Sequence, residues 1–242
     1  MTRNQPQLPV AAILPELERA LASAGSAVLQ APPGSGKTSR VPLALLDADW
    51  LAGQRILMLE PRRLAATNAA RYMASLLGER VGETVGYAIR YERKAGPATR
   101  LEVVTEGLLT RRLQADPELK GVGLVIFDEF HERSLQADLA LALCRDARQG
   151  LRPDLRLLVM SATLDAAPLA RLLDDCPLVS AAGRSFPVAI DYLDGADPAA
   201  AGVVAATVRG VRRALDDSDA VSYTHLRAHE TVLDLVCRLL LE

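Results

Sequence analysis

Residues Ala31 to Thr38 read APPGSGKT, set between a short apolar run, Ala27 to Gln30, and a stretch of helical period that opens at Thr38. A strand, a tight glycine-bearing loop and a helix in that order constrain the chain more than anything else in it. Small residues let backbone N–H groups turn inward around an anion, and the start of the helix adds its positive end. The segment reads as a phosphate-binding loop. The backbone of Gly34, Ser35, Gly36, Lys37, Thr38 and Ser39 would cradle phosphate, Lys37 would reach the β- and γ-phosphates, and the Thr38 hydroxyl would bind Mg2+. The first position of the loop is Ala31, where the strict pattern has glycine.

Around this loop, short β-branched or leucine-rich runs alternate with longer segments of helical period. That alternation predicts an α/β fold with a mostly parallel central sheet flanked by helices. Strands are expected at 27–30, 55–59, 85–90, 101–104, 124–128, 155–160, 178–180 and 188–192. Helices are expected at 14–24, 38–46, 64–77, 107–115, 136–148, 167–173 and 199–215, the last after a short linker at 194–198. The runs LVIF at 124–127 and LRLLVM at 155–160 are nearly continuous in apolar character, as in strands buried on both faces.

The strand LVIF runs straight into Asp128-Glu129-Phe130-His131. An acidic pair there stands at the carboxyl edge of the sheet, where open α/β folds keep their ligands. Asp128 can hold Mg2+ through its water shell and Glu129 can orient and polarise an attacking water. By itself such a pair is equally readable as a solvated turn; its distance from Lys37, with several strand-helix units between, favours the metal and water roles.

Composition narrows the partners. The chain has 28 Lys and Arg against 30 Asp and Glu, so nothing in its bulk charge favours nucleic acid, and any such contact must come from local arginine clusters. Three stand out: Arg62-Arg63, Arg90 with Arg93-Lys94, and Arg111-Arg112. Clusters of this kind at strand ends give salt-dependent, sequence-independent phosphate contacts, although for Arg111-Arg112 a solvated charged face is the favoured reading. Cys144, Cys176 and Cys237 have no paired spacing, which suggests neither disulfides nor a zinc module. No apolar stretch approaches the roughly 18 residues of a membrane span. The expected setting is the cytoplasm.

Five motifs occur in order: APPGSGKT, PRRLAA (61–66), TEGLL (105–109), DEFH (128–131) and SAT (161–163). With them the chain resembles the first RecA-like domain of a DEAH/RHA-type superfamily 2 helicase over about residues 8–195. The DEFH form and the preceding LPVAAILPEL resemble the bacterial HrpB-type ATP-dependent RNA helicases in particular. The resemblance implies ATP and Mg2+ as cofactors and single-stranded RNA, or DNA, as partner. It implies catalytic roles for Lys37, Asp128, Glu129 and His131, with Thr38 and Asp128 at the metal. His131 would couple the nucleotide site to Ser161, Ala162 and Thr163. Arg71 would stack on the base, and Arg62, Arg63 and Thr105 would touch the nucleic-acid backbone; Arg90 joins them on the strength of its own basic cluster. The lack of a separate adenine-reading motif goes in this family with weak base selectivity.

The resemblance also divides the chain. Residues 1–195 correspond to the ATP-binding domain and 196–221 to a linker and first helix of a second RecA-like domain, the rest of which is missing together with its arginine fingers. Residues 222–242, SYTHLRAHETVLDLVCRLLLE, resemble the conceptual translation of a sequencing adapter, an artefactual tail. The expectation is a monomeric motor domain, weak or inactive in hydrolysis until completed by that second domain. A nucleotide-gated RNA- or protein-binding module without unwinding activity is the alternative.

Overall fold

The computed structural model describes residues 8–162, 166–182 and 203–216. The chain falls into two compact units, Met1–Ser185 and Phe186–Glu242. In the first, eight strands among the described residues form one sheet: β1 (Ser26–Gln30), β2 (Arg55–Glu60), β3 (Val85–Ile89), β4 (Glu92–Lys94), β5 (Leu101–Thr105), β6 (Val122–Phe127), β7 (Arg156–Ser161) and β8 (Leu178–Ser180), in the order β4-β3-β5-β2-β6-β7-β1-β8. Every pairing is parallel except the β3–β4 hairpin at the edge.

Side chains alternate across a strand, so residue parity decides which face each one enters. Ile56 and Met58 of β2 and Leu124 and Ile126 of β6 pack on the face covered by α1 (Leu14–Ala24), α2 (Lys37–Ala44) and α3 (Arg63–Leu77). Leu57, Leu59, Val125 and Phe127 pack on the other, under α4 (Glu106–Ala115), α5 (Leu135–Gly150) and α6 (Ala166–Leu172). All six positions of β6 are buried. At about 1.5–3 kcal/mol for each large apolar side chain taken from water, that strand is a stiff support for whatever follows it.

Helix boundaries have local causes. Ser134 caps α5 by accepting from the Ala137 N–H at 3.0 Å. Pro42 removes an N–H inside α2, which gives way to a 3-10 turn at Leu45–Asp47 instead of running on to residue 46. The edge strand β4 had no expectation from sequence; its three residues are all exposed and carry no apolar alternation. The expected strand at 188–192, the linker at 194–198, the boundary at 195 and the tail at 222–242 lie outside the described residues. In the second unit the described element is α7 (Val203–Asp216); the first residues of the helix expected at 199–215, 199–202, lie outside the described residues.

A candidate nucleotide and metal site

β1 delivers the chain at Gln30 into the loop that the sequence marked. Ala31 N–H donates to Ser161 O at 2.9 Å, tying the loop to the end of β7. Gly34 and Gly36 have φ of 74° and 91°, backbone that a β-carbon strains. A Cβ on Gly36 would also stand 2.7 Å from Leu8 Cδ1. The loop then enters α2 at Lys37. Ser35 is buried and its Oγ has no hydrogen-bond partner among the described residues, an orphaned hydroxyl in the loop assigned to phosphate.

The acidic side reaches this loop from β6. Asp128 N–H donates to Leu59 O at 3.1 Å, so Asp128 continues the ladder beyond the last strand residue. Its Oδ2 accepts from Thr38 Oγ1 at 2.5 Å and its Oδ1 from the Glu129 N–H at 2.8 Å. Glu129 Oε1 lies 2.9 Å from Lys37 Nζ, whose side chain is only 6% exposed. Glu129 Oε2 lies 3.2 Å from His131 Nε2. His131 Nδ1 accepts from the Ala162 N–H at 3.4 Å, which fixes the proton on Nε2, facing Glu129. The carboxylates, the lysine and the end of β7 are thus linked through His131. Ser161 is buried beside Ala162, and Thr163 lies outside the described residues.

Glu129 and Arg133 bracket a 3-10 turn, Phe130–Glu132, with φ of 50° and 51°. Non-glycine residues in this left-handed region cost roughly 1–2 kcal/mol each. Phe130 holds the turn down, its ring edge-on to Phe127 with centroids 6.2 Å apart.

Sequence reasoning passed over Glu60. It ends β2, is 2% exposed and lies beside Asp128 across the β2–β6 pairing. Burial pushes its carboxyl up to about 9, with the charges of Asp128 and Glu129 adding and Lys37 opposing. Burial likewise raises Asp128, reinforced by Glu129 and opposed by Lys37 and Thr38. Three carboxyls therefore gather around one ammonium. A cluster short of positive charge, a threonine hydroxyl on the central aspartate and an orphaned loop hydroxyl fit a divalent cation bound together with phosphate.

The arginines divide into two groups. Arg62 Nη2 lies 3.1 Å from Glu132 Oε1 on the Phe130–Glu132 turn. Arg63 donates to Arg90 O at 3.3 Å, and the Arg90 guanidinium lies 4.8 Å from the centre of the Tyr91 ring, 87% exposed. Thr105, half-buried, pairs in register with Glu60, so β2, β3 and β5 bring Arg62, Arg63, Arg90 and Thr105 to the same sheet edge as the loop. Arg93 and Arg112 correct the reading of two basic clusters. Both bind Glu102, 1% exposed on β5, at 3.0 Å and 2.7 Å, and belong to a structural ion triad. Burial alone would raise the Glu102 carboxyl; Arg112 and Arg93 outweigh it and hold it below its ordinary value. Arg71 is exposed on α3, and among the described residues no contact ties it to the phosphate loop.

With this geometry in hand, the comparisons are specific. The profile of the DEAD/DEAH box helicase family matches residues 12–172. The ATP-dependent RNA helicase HrpB of Escherichia coli is 60% identical over 186 residues, which cover 77% of this chain and 23% of that protein. The ATP-dependent RNA helicase HrpA of Borreliella burgdorferi is 34% identical over 189 residues, or 78% of this chain and 23% of its own length. The crystal structure of the E. coli DEAH/RHA helicase HrpB superposes with a TM-score of 0.81 at 54% identity, covering 88% of this chain and 27% of that one. The chain spans about a quarter of the length of these relatives.

Proposed function

This chain belongs to the DEAD/DEAH box helicases, and from that premise we propose that it is the ATP-binding motor domain of an ATP-dependent RNA helicase. The observation that carries the reading is the meeting of two distant segments, Lys37 and Thr38 from the loop with Glu129 and Asp128 from the end of β6. Lys37 and the N–H groups of the loop bind the phosphates. Thr38 and Asp128 hold Mg2+, Asp128 through water, and the cation supplies neutralisation of the phosphate oxygens. Glu129 orients and polarises the attacking water. His131 carries the state of Glu129 to the end of β7 at Ala162.

Arg62, Arg63, Arg90 and Thr105 bind the backbone of a single strand of RNA, or of DNA, along the adjoining edge of the sheet. Arg71 is proposed to stack on the base. Both relatives named above are RNA helicases, which supports a motor over a binding module without unwinding activity. Hydrolysis at full rate requires a second RecA-like domain supplying arginine fingers, worth roughly 10³–10⁵ in rate in related sites. No helix among the described residues is long and apolar enough to cross a membrane; a cytoplasmic monomer is the proposed setting.

The test is direct. The 242-residue chain is expected to bind ATP in the presence of Mg2+, to lose that binding in Lys37→Ala, and to show negligible RNA-stimulated turnover. Absence of ATP binding would refute the site, and robust unwinding by this chain would refute the need for a second domain.

A further inference from the structure

Glu60 is a costly residue where it stands. β2 is otherwise apolar from Ile56 to Leu59, and a buried carboxyl is tolerated only with partners that repay its desolvation. The parallel register pairs Leu59 of β2 with Phe127 of β6, so the next step places Glu60 beside Asp128 on neighbouring strands, about 4.8 Å apart in the sheet. Parity sends both side chains to the face that holds Met58 and Ile126, the face on which α2 packs with its Thr38.

Asp128 has room for such a partner. A carboxylate offers about four lone-pair positions, of which Thr38 and the Glu129 N–H occupy one on each oxygen. Glu60, buried on the neighbouring strand and sent to the same face, is placed to reach one of the others. Beyond the bonds from Thr38 and the Glu129 N–H, Glu60 on the neighbouring strand is the further restraint on the Asp128 side chain.

Resting on the nucleotide and metal reading above, we propose that Glu60 is a positioning residue of this site. It holds the Asp128 carboxylate in the orientation that faces Thr38 and the water shell of a divalent cation. It acts from behind Asp128 and is not itself a ligand. Groups that orient a metal-binding side chain in this way commonly carry ten- to hundredfold of the metal affinity.

The experiment follows binding of a fluorescent ATP analogue to the intact chain, once as a Mg2+ titration and once in EDTA. Glu60→Ala is expected to raise the half-saturating Mg2+ concentration by about tenfold or more while changing metal-free nucleotide affinity by less than about twofold. Glu60→Gln, which keeps length and hydrogen bonding, is expected to stay within about threefold of the parent. Glu60→Asp withdraws the carboxyl by one methylene and is expected to be weakened as well, which keeps the test decisive if Glu60→Ala does not fold. Unchanged Mg2+ dependence in the Ala or Asp variant would overturn the proposal. So would an equal loss with and without metal, or a Gln variant as impaired as the Ala variant. If the parent chain itself binds nucleotide without Mg2+ dependence, the underlying reading fails instead, and that failure is visible before any variant is made.

Discussion

Lys37 Nζ lies 2.9 Å from Glu129 Oε1, so the cation assigned to phosphate and the carboxylate assigned to water are each other's partners. The pair satisfies a nearly buried ammonium that would otherwise be expensive to keep charged. It also means that phosphate must compete with Glu129 for Lys37. Glu129 is left with His131 on its other oxygen when Lys37 turns to phosphate.

Competition of this kind gives Glu129→Gln an unusual signature. Removing the carboxylate charge frees Lys37, and ATP is expected to bind as tightly as in the parent or a few-fold tighter, worth about 0.5–1 kcal/mol. Isothermal titration of both proteins checks this. Clearly weaker binding in the variant would show that Glu129 supports the lysine instead of competing for it.

His131→Ala is expected to leave ATP affinity within about threefold, under 1 kcal/mol, because the imidazole touches no residue of the phosphate loop in the described contacts. Its effect should fall on β7. The Ala162 amide donates to Nδ1, and hydrogen exchange at that amide is expected to speed up when the acceptor is gone. Unaltered exchange at Ala162 would break the proposed link between the carboxylates and the end of β7.

Arg62 and Arg63 are predicted to contribute one phosphate contact each. For a single strand the slope of log affinity against log salt changes by roughly 0.7 per contact, so the double Ala variant should bind RNA more weakly and with a slope shallower by about 1.4. Fluorescence anisotropy over a salt series measures both quantities. Replacing Arg112 in the same assay is expected to do little, since its guanidinium is occupied by Glu102.

Glu102 instead governs stability. Its carboxyl is held below the ordinary value in the folded chain, so its contribution is present above about pH 4.3, the unfolded value, and is lost as pH falls through the lower folded value. Glu102→Gln is expected to cost about 2 kcal/mol near neutrality, discounted for the partial exposure of both arginines. Denaturant titrations at several pH values should show a flatter acid limb in the variant. An unchanged acid limb would mean that other carboxylates control it.

The residues that sequence reasoning placed well are those whose chemistry and local structure agree. APPGSGKT needs a strand before it and a helix after it, and LVIF can be little other than a doubly buried strand, so the loop, Asp128 and Glu129 come together as expected. Glu60 was invisible because one acid at a strand end has no motif of its own; only the β2–β6 register brings it to Asp128. Arg93 and Arg112 misled for the same reason, since their partner Glu102 lies on β5 and nothing local announces the triad. The hairpin strand β4, exposed and charged, is specified by pairing with β3 and by the turn at Tyr91, with φ 70°, and not by any periodicity.

The two left-handed residues around the Phe130–Glu132 turn divide the acidic pair into parts of different stiffness. Asp128 is bonded into the sheet through Leu59, whereas Glu129 begins a segment that bends against its backbone preference at both Glu129 and Arg133. The carboxylate proposed to hold the metal is thus built into the strand, and the one proposed to face water sits on a strained turn joined to it by the Glu129 N–H bond to Asp128 Oδ1. Movement of the strained turn therefore reaches Asp128 through that bond.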